Sequence, residues 1–233
     1  YSFCDRFGAA KHVSFNAPEH QTYQLSPQFP HVVGANYMFS RAALVEVGGF
    51  DEEYEYYLYE AAICCRLIDA GYKIVHADWA PVHHKYLSGT TRDGAGITVR
   101  RKTILKNQMY FSLKNARGHA SLKEITSRAA TFTDQHRADI DSYVRSGRLP
   151  AEILNTFDAD AETAWEAGIT RGLGQDRQLN HHFSSGGAFQ RFAQYETAGR
   201  PRHVAVIQPF GATPHRPLEE LVSAGCFARS FEV

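Results

Sequence analysis

The sequence predicts an α/β fold followed by a mostly helical extension, and three observations lead to this prediction. Apolar residues recur at helical spacing in two segments between positions 40 and 70, and a glycine ends each segment. The short run Tyr72 to His76 then has the composition of a buried strand. From about 118 to 200 the sequence favours helices again, with a break and a new start at Leu149-Pro150.

Composition is typical of a globular protein and excludes some partners. The chain has 233 residues, of which 43% are hydrophobic and 21% charged, so one or two domains with a real core are possible. Its 25 basic residues equal its 25 acidic residues, so no bulk charge attracts nucleic acid or an acidic membrane. No apolar run reaches the roughly 20 residues of a membrane-spanning helix. The four cysteines lack metal-ligand spacing, which predicts buried, reduced thiols in a cytoplasmic protein.

The first predicted helix begins after Ser40, a good N-cap residue. Leu44 and Val47 supply its apolar stripe, and Gly48-Gly49 ends it because glycine adopts a positive φ at little cost. In the turn that follows, we expect Phe50 to enter the core and Asp51 to reverse the chain.

The second predicted helix runs from about 58 to 70. Ile63, Leu67 and Ala70 share one face, and Gly71 stops the helix. Glu60 falls in its first turn, where the helix dipole stabilises an ionised carboxylate. Glu60 is therefore the candidate general base.

These segments together resemble the C-terminal half of the inverting family 2 glycosyltransferases, which have the GT-A (Rossmann-like) fold. The resemblance covers about residues 30 to 117 and rests on the order of the pieces, since no single piece is specific. The matching pieces are Gly34-Ala35-Asn36, Gly48 to Glu52, Tyr59 to Leu67, Ala70-Gly71-Tyr72 and Val82-His83-His84.

The resemblance implies a partial GT-A mixed sheet with flanking helices and a set of site residues. Glu60 matches the catalytic base, and His83, or alternatively His84, matches a histidine that helps to hold Mn²⁺ or Mg²⁺. The loop Gly34, Ala35 and Asn36 matches the lining of the donor sugar and acceptor cleft. Two residues depart from the pattern, because Tyr59 and Ala62 stand where acids are usual.

Three further residues are candidates on the acceptor side. Asp51 and Glu52 would shape the approach of the acceptor, although Asp51 is equally suited to stabilise a turn. Tyr59, with the neighbouring tyrosines at 54, 56 and 57, would either stack on sugar rings or cover the start of the helix.

The resemblance also implies that the chain is a piece of a longer protein. The family's nucleotide-binding half precedes this region and ends in an Asp-x-Asp motif that carries the metal, whereas here about 30 residues precede the Gly34 loop. The same Asp-x-Asp pattern occurs twice later in the chain, in helical sequence, at Asp139-Ile140-Asp141 and Asp158-Ala159-Asp160. We interpret both as solvated helix faces.

We divide the chain into three sections: 1–117, the half GT-A domain; 118–200, a helical extension or linker; and 201–233, the start of a further α/β unit with a strand near His203 to Ile207. Within the first section, 88–98 would be a closing flap or a plain loop. The basic stretch Arg100 to Lys106 would contact a diphosphate or a membrane edge, or form a solvated face.

The predicted function is transfer of a sugar from a nucleotide-sugar donor to a hydroxyl of a glycan or polysaccharide, with inversion. One alternative is a degenerate GT-A domain that binds carbohydrate or a partner without turnover. Another is a metal-dependent hydrolase built around His83-His84. The expected partners are the donor and the acceptor, with no nucleic acid, no transmembrane segment and, at most, peripheral membrane contact.

Overall fold

A computed structural model describes residues 2–12, 28–75, 82, 92–93, 96–174, 176–179, 203–206 and 227–230. Within these ranges the chain is mixed α/β and mostly helical. The strands are β1 Ser2–Cys4, β2 Ala10–His12, β3 Phe29–Pro30, β4 His203–Val206 and β5 Phe227–Ser230. The helices are α1 Arg41–Glu46, α2 Tyr59–Asp69, α3 Lys102–Asn115, α4 Leu122–Arg145 and α5 Ile153–Gly174.

The strands form two small sheets. The first has the order β2-β1-β3 and is antiparallel, with Phe3 opposite both Lys11 and Pro30. The second pairs β4 with β5 in parallel, and β4 confirms the predicted strand over 203–206. The structure thus has a small three-stranded antiparallel sheet among helices, and the finer GT-A arrangement remains a proposal.

The predicted strand at Tyr72 to His76 is wrong for the described residues 72–75, which have no regular structure. Gly71 has φ +89°, and the amide of Tyr72 donates to Leu67 O (2.9 Å), so these residues serve to terminate α2. Val75 is 80% exposed, so the segment buries too little apolar surface to favour pairing in a sheet.

Helix α1 and the glycine turn after it form as predicted. The Ser40 side chain accepts a hydrogen bond from the amide of Ala43, and Gly48 and Gly49 have φ +79° and +72°. From α2, Arg66 donates to the carbonyls of Val47 (2.8 Å) and Gly49 (2.6 Å). The turn is therefore fastened to the second helix by a charged side chain.

Helix α2 confirms the predicted helix over 58–70 and supplies much of the core. One cluster joins its buried residues to Tyr110 and Phe111 of α3 and to Cys4 of β1. Cys4, Cys64 and Cys65 are buried and carry free thiols, as predicted, while Cys226 lies outside the described residues. Burial raises the pKa of Cys64 to about 12, which keeps its thiol protonated and inert.

Helices α3 and α5 pack closely through glycines. A Cβ atom at Gly168 would lie 2.8 Å from Cβ of Met109, and Gly172 faces Leu113 in the same way. Trp165 of α5 packs against the cluster that contains Met109 of α3, and its indole donates to Thr133 Oγ1 of α4 (3.0 Å).

The interpretation of the basic stretch as a solvated face is wrong for two residues. Arg101 is only 5% exposed and is paired with Asp139 and His136 of α4. Lys106 pairs with Glu53 at 3.0 Å. Both cations are used to join elements, because a partly buried charge needs a partner.

The two later Asp-x-Asp motifs lie on helices α4 and α5. Asp141 forms an ion pair with Arg145, and Asp158 forms one with Arg137. None of the helices in the described ranges is long and apolar enough to cross a bilayer.

Candidate functional site

The loop at Gly34 lies directly against the start of α2. The amide of Asn36 donates to Val33 O (3.0 Å), which closes a tight turn with Gly34 and Ala35 at its corner. A Cβ atom at position 34 would overlap the hydroxyl of Tyr59 and lie 3.4 Å from Glu60 Oε1. A side chain at this position would force Tyr59 to move, because the backbone approaches two side chains. The structure therefore brings Gly34, Tyr59 and Glu60 together.

The carboxylate of Glu60 lies beside backbone amides. The amides of Gly34 and of Glu60 itself are close enough to lower its pKa. Its Oε2 atom is buried and has no hydrogen-bond partner within the described ranges. The carboxylate therefore has amides close by, while its Oε2 atom is shielded from solvent and has no donor in the described ranges.

Burial raises the pKa of Glu60, and the two nearby amides lower it by less. Its position in the first turn of α2 led to the expectation that the helix dipole favours the ionised form. Desolvation acts against that form and has a larger effect on the pKa than the two amides. A raised pKa suits a carboxylate that must take a proton near neutral pH.

Two tyrosines stand beside Glu60. The hydroxyls of Tyr37 and Tyr59 lie close together, and burial together with the nearby Glu60 raises the pKa of Tyr59 to about 12. The Tyr59 hydroxyl is therefore neutral at physiological pH. Sequence reasoning missed Tyr37, although it follows directly after the Gly34–Asn36 motif.

An open cavity of about 320 Å³ adjoins these tyrosines. Its volume falls within the range of small-molecule sites, roughly 300–1,000 Å³. The rings of Phe50 and Tyr59 lie 6.1 Å apart in its wall. Its lining combines aromatic rings with carboxylates and consists of Tyr37, Phe50, Asp51, Glu52, Tyr54, Glu55 and Tyr59.

Asp51 is buried and has a structural position. Its carboxylate accepts from the hydroxyl of Tyr110 at 2.8 Å and from the amides of Glu53 and Gln178 at 3.2 Å each. These hydrogen bonds fit the alternative in which Asp51 stabilises a turn. They also connect that turn to α3 and to residue 178. Glu52, in contrast, is exposed at the mouth of the cavity.

The tyrosine cluster divides between core and cavity. Tyr54 is buried and packs edge-on against Tyr110 (5.1 Å between ring centroids). Tyr57 stacks on Phe132 of α4 (6.2 Å), and Tyr59 lines the cavity. Of the four, Tyr59 has the clearest position for contact with a ligand.

The backbone before α2 has an uncommon conformation. Tyr57 and Leu58 are consecutive non-glycine residues with φ +68° and +66°. Leu58 is the N-cap residue, and its side chain makes no capping hydrogen bond. Left-handed backbone of this kind persists only where the surroundings impose it, often next to functional sites.

His83, His84 and most of the predicted flap at 88–98 lie outside the described residues. Arg92 and Thr98 form an antiparallel bridge, and the Asp93 carboxylate accepts from the amide of Ile97 (2.7 Å). Among the described residues, no group of three potential metal ligands occurs. The described residues therefore give no support for a divalent-metal site.

Comparisons with protein-family models, with characterised proteins and with solved structures gave no significant match to this chain.

Proposed function

We propose that this chain forms the acceptor-side half of an inverting glycosyltransferase domain of GT-A type. The supporting observation is the close approach of the Gly34 loop to the Glu60 carboxylate. It joins two motif pieces that are far apart in sequence, next to an aromatic cavity. In this proposal Glu60 is the general base, and the donor is a nucleotide-sugar.

The reaction is a direct displacement. The acceptor hydroxyl oxygen forms a bond to the anomeric carbon while the bond from that carbon to the diphosphate oxygen breaks. The hydroxyl proton passes to the carboxylate of Glu60, and the nucleoside diphosphate leaves. A hydroxyl is a weak nucleophile near neutral pH, so a carboxylate with a raised pKa assists as the bond forms.

The cavity suits the ring of an acceptor sugar. Its aromatic walls offer apolar faces to the C–H side of a pyranose, and the carboxylates at its mouth accept hydrogen bonds from hydroxyls. Tyr59 would donate to the acceptor from its neutral hydroxyl. Gly34, Ala35 and Asn36 would line the side nearer to the donor.

Mn²⁺ or Mg²⁺ would neutralise the charge on the departing diphosphate. His83 and His84 stay the proposed protein ligands, and no step above depends on the metal. A cytoplasmic location and peripheral membrane contact likewise remain proposals.

The non-catalytic alternative has one specific observation in its favour. Ala62, which stands where the family usually has an acid, is 2% exposed and packs in the core. Tyr59, the other departure, lies beside Tyr37. A degenerate domain would keep the cavity for binding carbohydrate or a partner and would lose turnover.

The test uses the whole natural protein that carries this chain, assayed for donor turnover with Mn²⁺ and with Mg²⁺. Glu60→Gln should lower turnover by about 10²- to 10⁴-fold, the usual contribution of a general base. Glu166→Gln is the matched control, because Glu166 is exposed on α5, and it should leave turnover unchanged. Normal turnover by Glu60→Gln would overturn the proposal. Oligosaccharide binding without any turnover would support the degenerate domain instead.

A further inference from the structure

The candidate base, Glu60, lies two residues after a pair of left-handed residues. Tyr57 and Leu58 both have positive φ, and α2 begins at Tyr59. Side chains of L residues disfavour this conformation, and two such residues in succession are rare. Some other part of the structure must therefore hold the backbone at this point.

Asn107 of α3 makes the contact that does so. Its Nδ2 donates to the carbonyls of Tyr56 and Tyr57, the latter at 3.1 Å. The side chain is fully buried. Its Oδ1 has no hydrogen-bond partner within the described part of the chain, so the contacts made by this amide are those of its donor end. A buried acceptor without a partner costs free energy. The two contacts of Nδ2 explain why an asparagine is nevertheless found at this position.

This contact fixes where α2 starts. Leu58 follows the held carbonyls, Tyr59 and Glu60 come next, and the Glu60 carboxylate lies beside the amide of Gly34. A shift of the first turn would separate the two, because the Gly34 loop is in close contact with Tyr59.

We infer that Asn107 is a positioning residue for Glu60: by holding the carbonyls of Tyr56 and Tyr57, it sets the start of α2 so that the Glu60 carboxylate meets the Gly34 amide. The effect of Asn107 on catalysis rests on the proposed function, whereas its effect on the position of the start of α2 does not.

The experiment follows the Gly34 amide proton of this chain by NMR as a function of pH. Since the amide faces the Glu60 carboxylate, its resonance should shift as Glu60 titrates, and Glu60→Gln should abolish that shift. Asn107→Ala removes both donors. Asn107→Asp has nearly the same shape and places an oxygen against the two carbonyls, so it separates hydrogen bonding from packing.

Asn115→Ala is the matched control, because Asn115 is also buried on α3 and its Nδ2 donates to a backbone carbonyl, that of Phe111 (2.8 Å). We expect the control to keep the full pH-dependent shift of Gly34 and both Asn107 variants to lose more than half of it. Folded Asn107 variants that keep the full shift would overturn the inference.

A measurement on the native chain covers the case in which neither variant folds. The side-chain amide protons of Asn107 should exchange with water at least tenfold more slowly than those of Asn155, which is exposed on α5. Equal exchange rates would contradict the contact. Tyr57→Gly gives a further check: glycine adopts positive φ readily, so Asn107→Ala should remove less of the Gly34 shift in that background.

The two proposals fail separately. Normal donor turnover by Glu60→Gln would remove the function but leave the Gly34 measurement as it stands. If both hold, Asn107→Asp in the whole natural protein should lower kcat with little change in the KM of the donor, because binding groups stay in place while the base moves.

Discussion

The backbone of Gly34 lies against the carboxylate of Glu60 at the point where the Tyr59 hydroxyl fills the space beside residue 34. One glycine thus allows a loop and a helix start to touch. The contact brings an amide near a carboxylate whose pKa burial has raised.

Gly34→Ala should separate the loop from the helix. The added Cβ would overlap the Tyr59 hydroxyl, so Tyr59 or the loop must move. We expect a loss of about 1–3 kcal/mol in the free energy of unfolding, the usual range for overpacking. Urea denaturation at pH 7 measures it.

Gly118→Ala is the control for this substitution. A Cβ at Gly118 would meet no atom within 4 Å, so that variant should change stability by less than about 0.5 kcal/mol. Equal stabilities of the two variants would show that residue 34 has free space around it.

Local signals made the helices of this chain predictable. Ser40 and Gly48-Gly49 bound α1, and Gly71 ends α2, because caps and positive φ act within a few residues. The proximity of Gly34 and Glu60 was suggested by the family resemblance and not by any local pattern.

The remaining features depend on contacts between distant residues. Nothing near Asn107 in the sequence indicates that its amide holds carbonyls before α2, or that Arg101 is buried against α4. The predicted strand at 72–75 is wrong because composition alone does not reveal that Val75 is exposed. The raised pKa of Glu60 depends on burial, which the helical position did not reveal.

Glu53 joins three parts of the fold through charge. Its carboxylate accepts from Lys106 of α3 (3.0 Å) and from Arg171 of α5 (2.7 Å), and its side chain is 11% exposed. Burial alone would raise the pKa of Glu53, but the two cations bring it below its ordinary value. Glu53→Gln should cost about 2–3 kcal/mol of unfolding free energy, because it leaves two partly buried cations with a neutral partner.

Asp158→Asn gives the exposed comparison for Glu53→Gln in urea denaturation at pH 7. Asp158 pairs with Arg137 with both side chains nearly half exposed, so its loss should cost less than about 1 kcal/mol. A Glu53→Gln variant no less stable than Asp158→Asn would mean that the Glu53 contacts contribute little.

The packing of α3 on α5 gives a third prediction. A Cβ at Gly168 would lie 2.8 Å from Met109 Cβ and 2.9 Å from the backbone oxygen of Lys106, which cannot yield easily. Overpacking of about 1–3 kcal/mol should outweigh the gain of about 1 kcal/mol that alanine has over glycine in a helix. Gly168→Ala should therefore lower the melting temperature. Gly174→Ala, at the end of the same helix with nothing within 4 Å, should leave it equal or higher. The reverse order would exclude close contact between the two helices.

His136 predicts how stability depends on pH. Burial, with the adjacent Arg101, lowers the pKa of His136 from 6.5 to about 4, and Asp139 on the same helix opposes this shift. The folded chain therefore keeps this imidazole neutral where the unfolded chain protonates it. The stabilisation that the neutral imidazole gives to the folded chain is complete above pH 6.5 and is lost as pH falls toward 4. After screening, we expect about 1–2 kcal/mol from this group.

His136→Gln should remove that dependence, because the glutamine oxygen can still accept from Arg101 and does not titrate. Urea denaturation at pH 7 and at pH 4.5 should show a smaller difference in unfolding free energy for this variant than for the native chain. The carboxylates that also titrate in this range are common to both proteins and cancel in the comparison. His119→Gln, at an exposed residue, should keep the native difference. If His136→Gln also kept it, the imidazole would be protonated equally in the folded and unfolded chains, and its contact with Arg101 would not persist in solution.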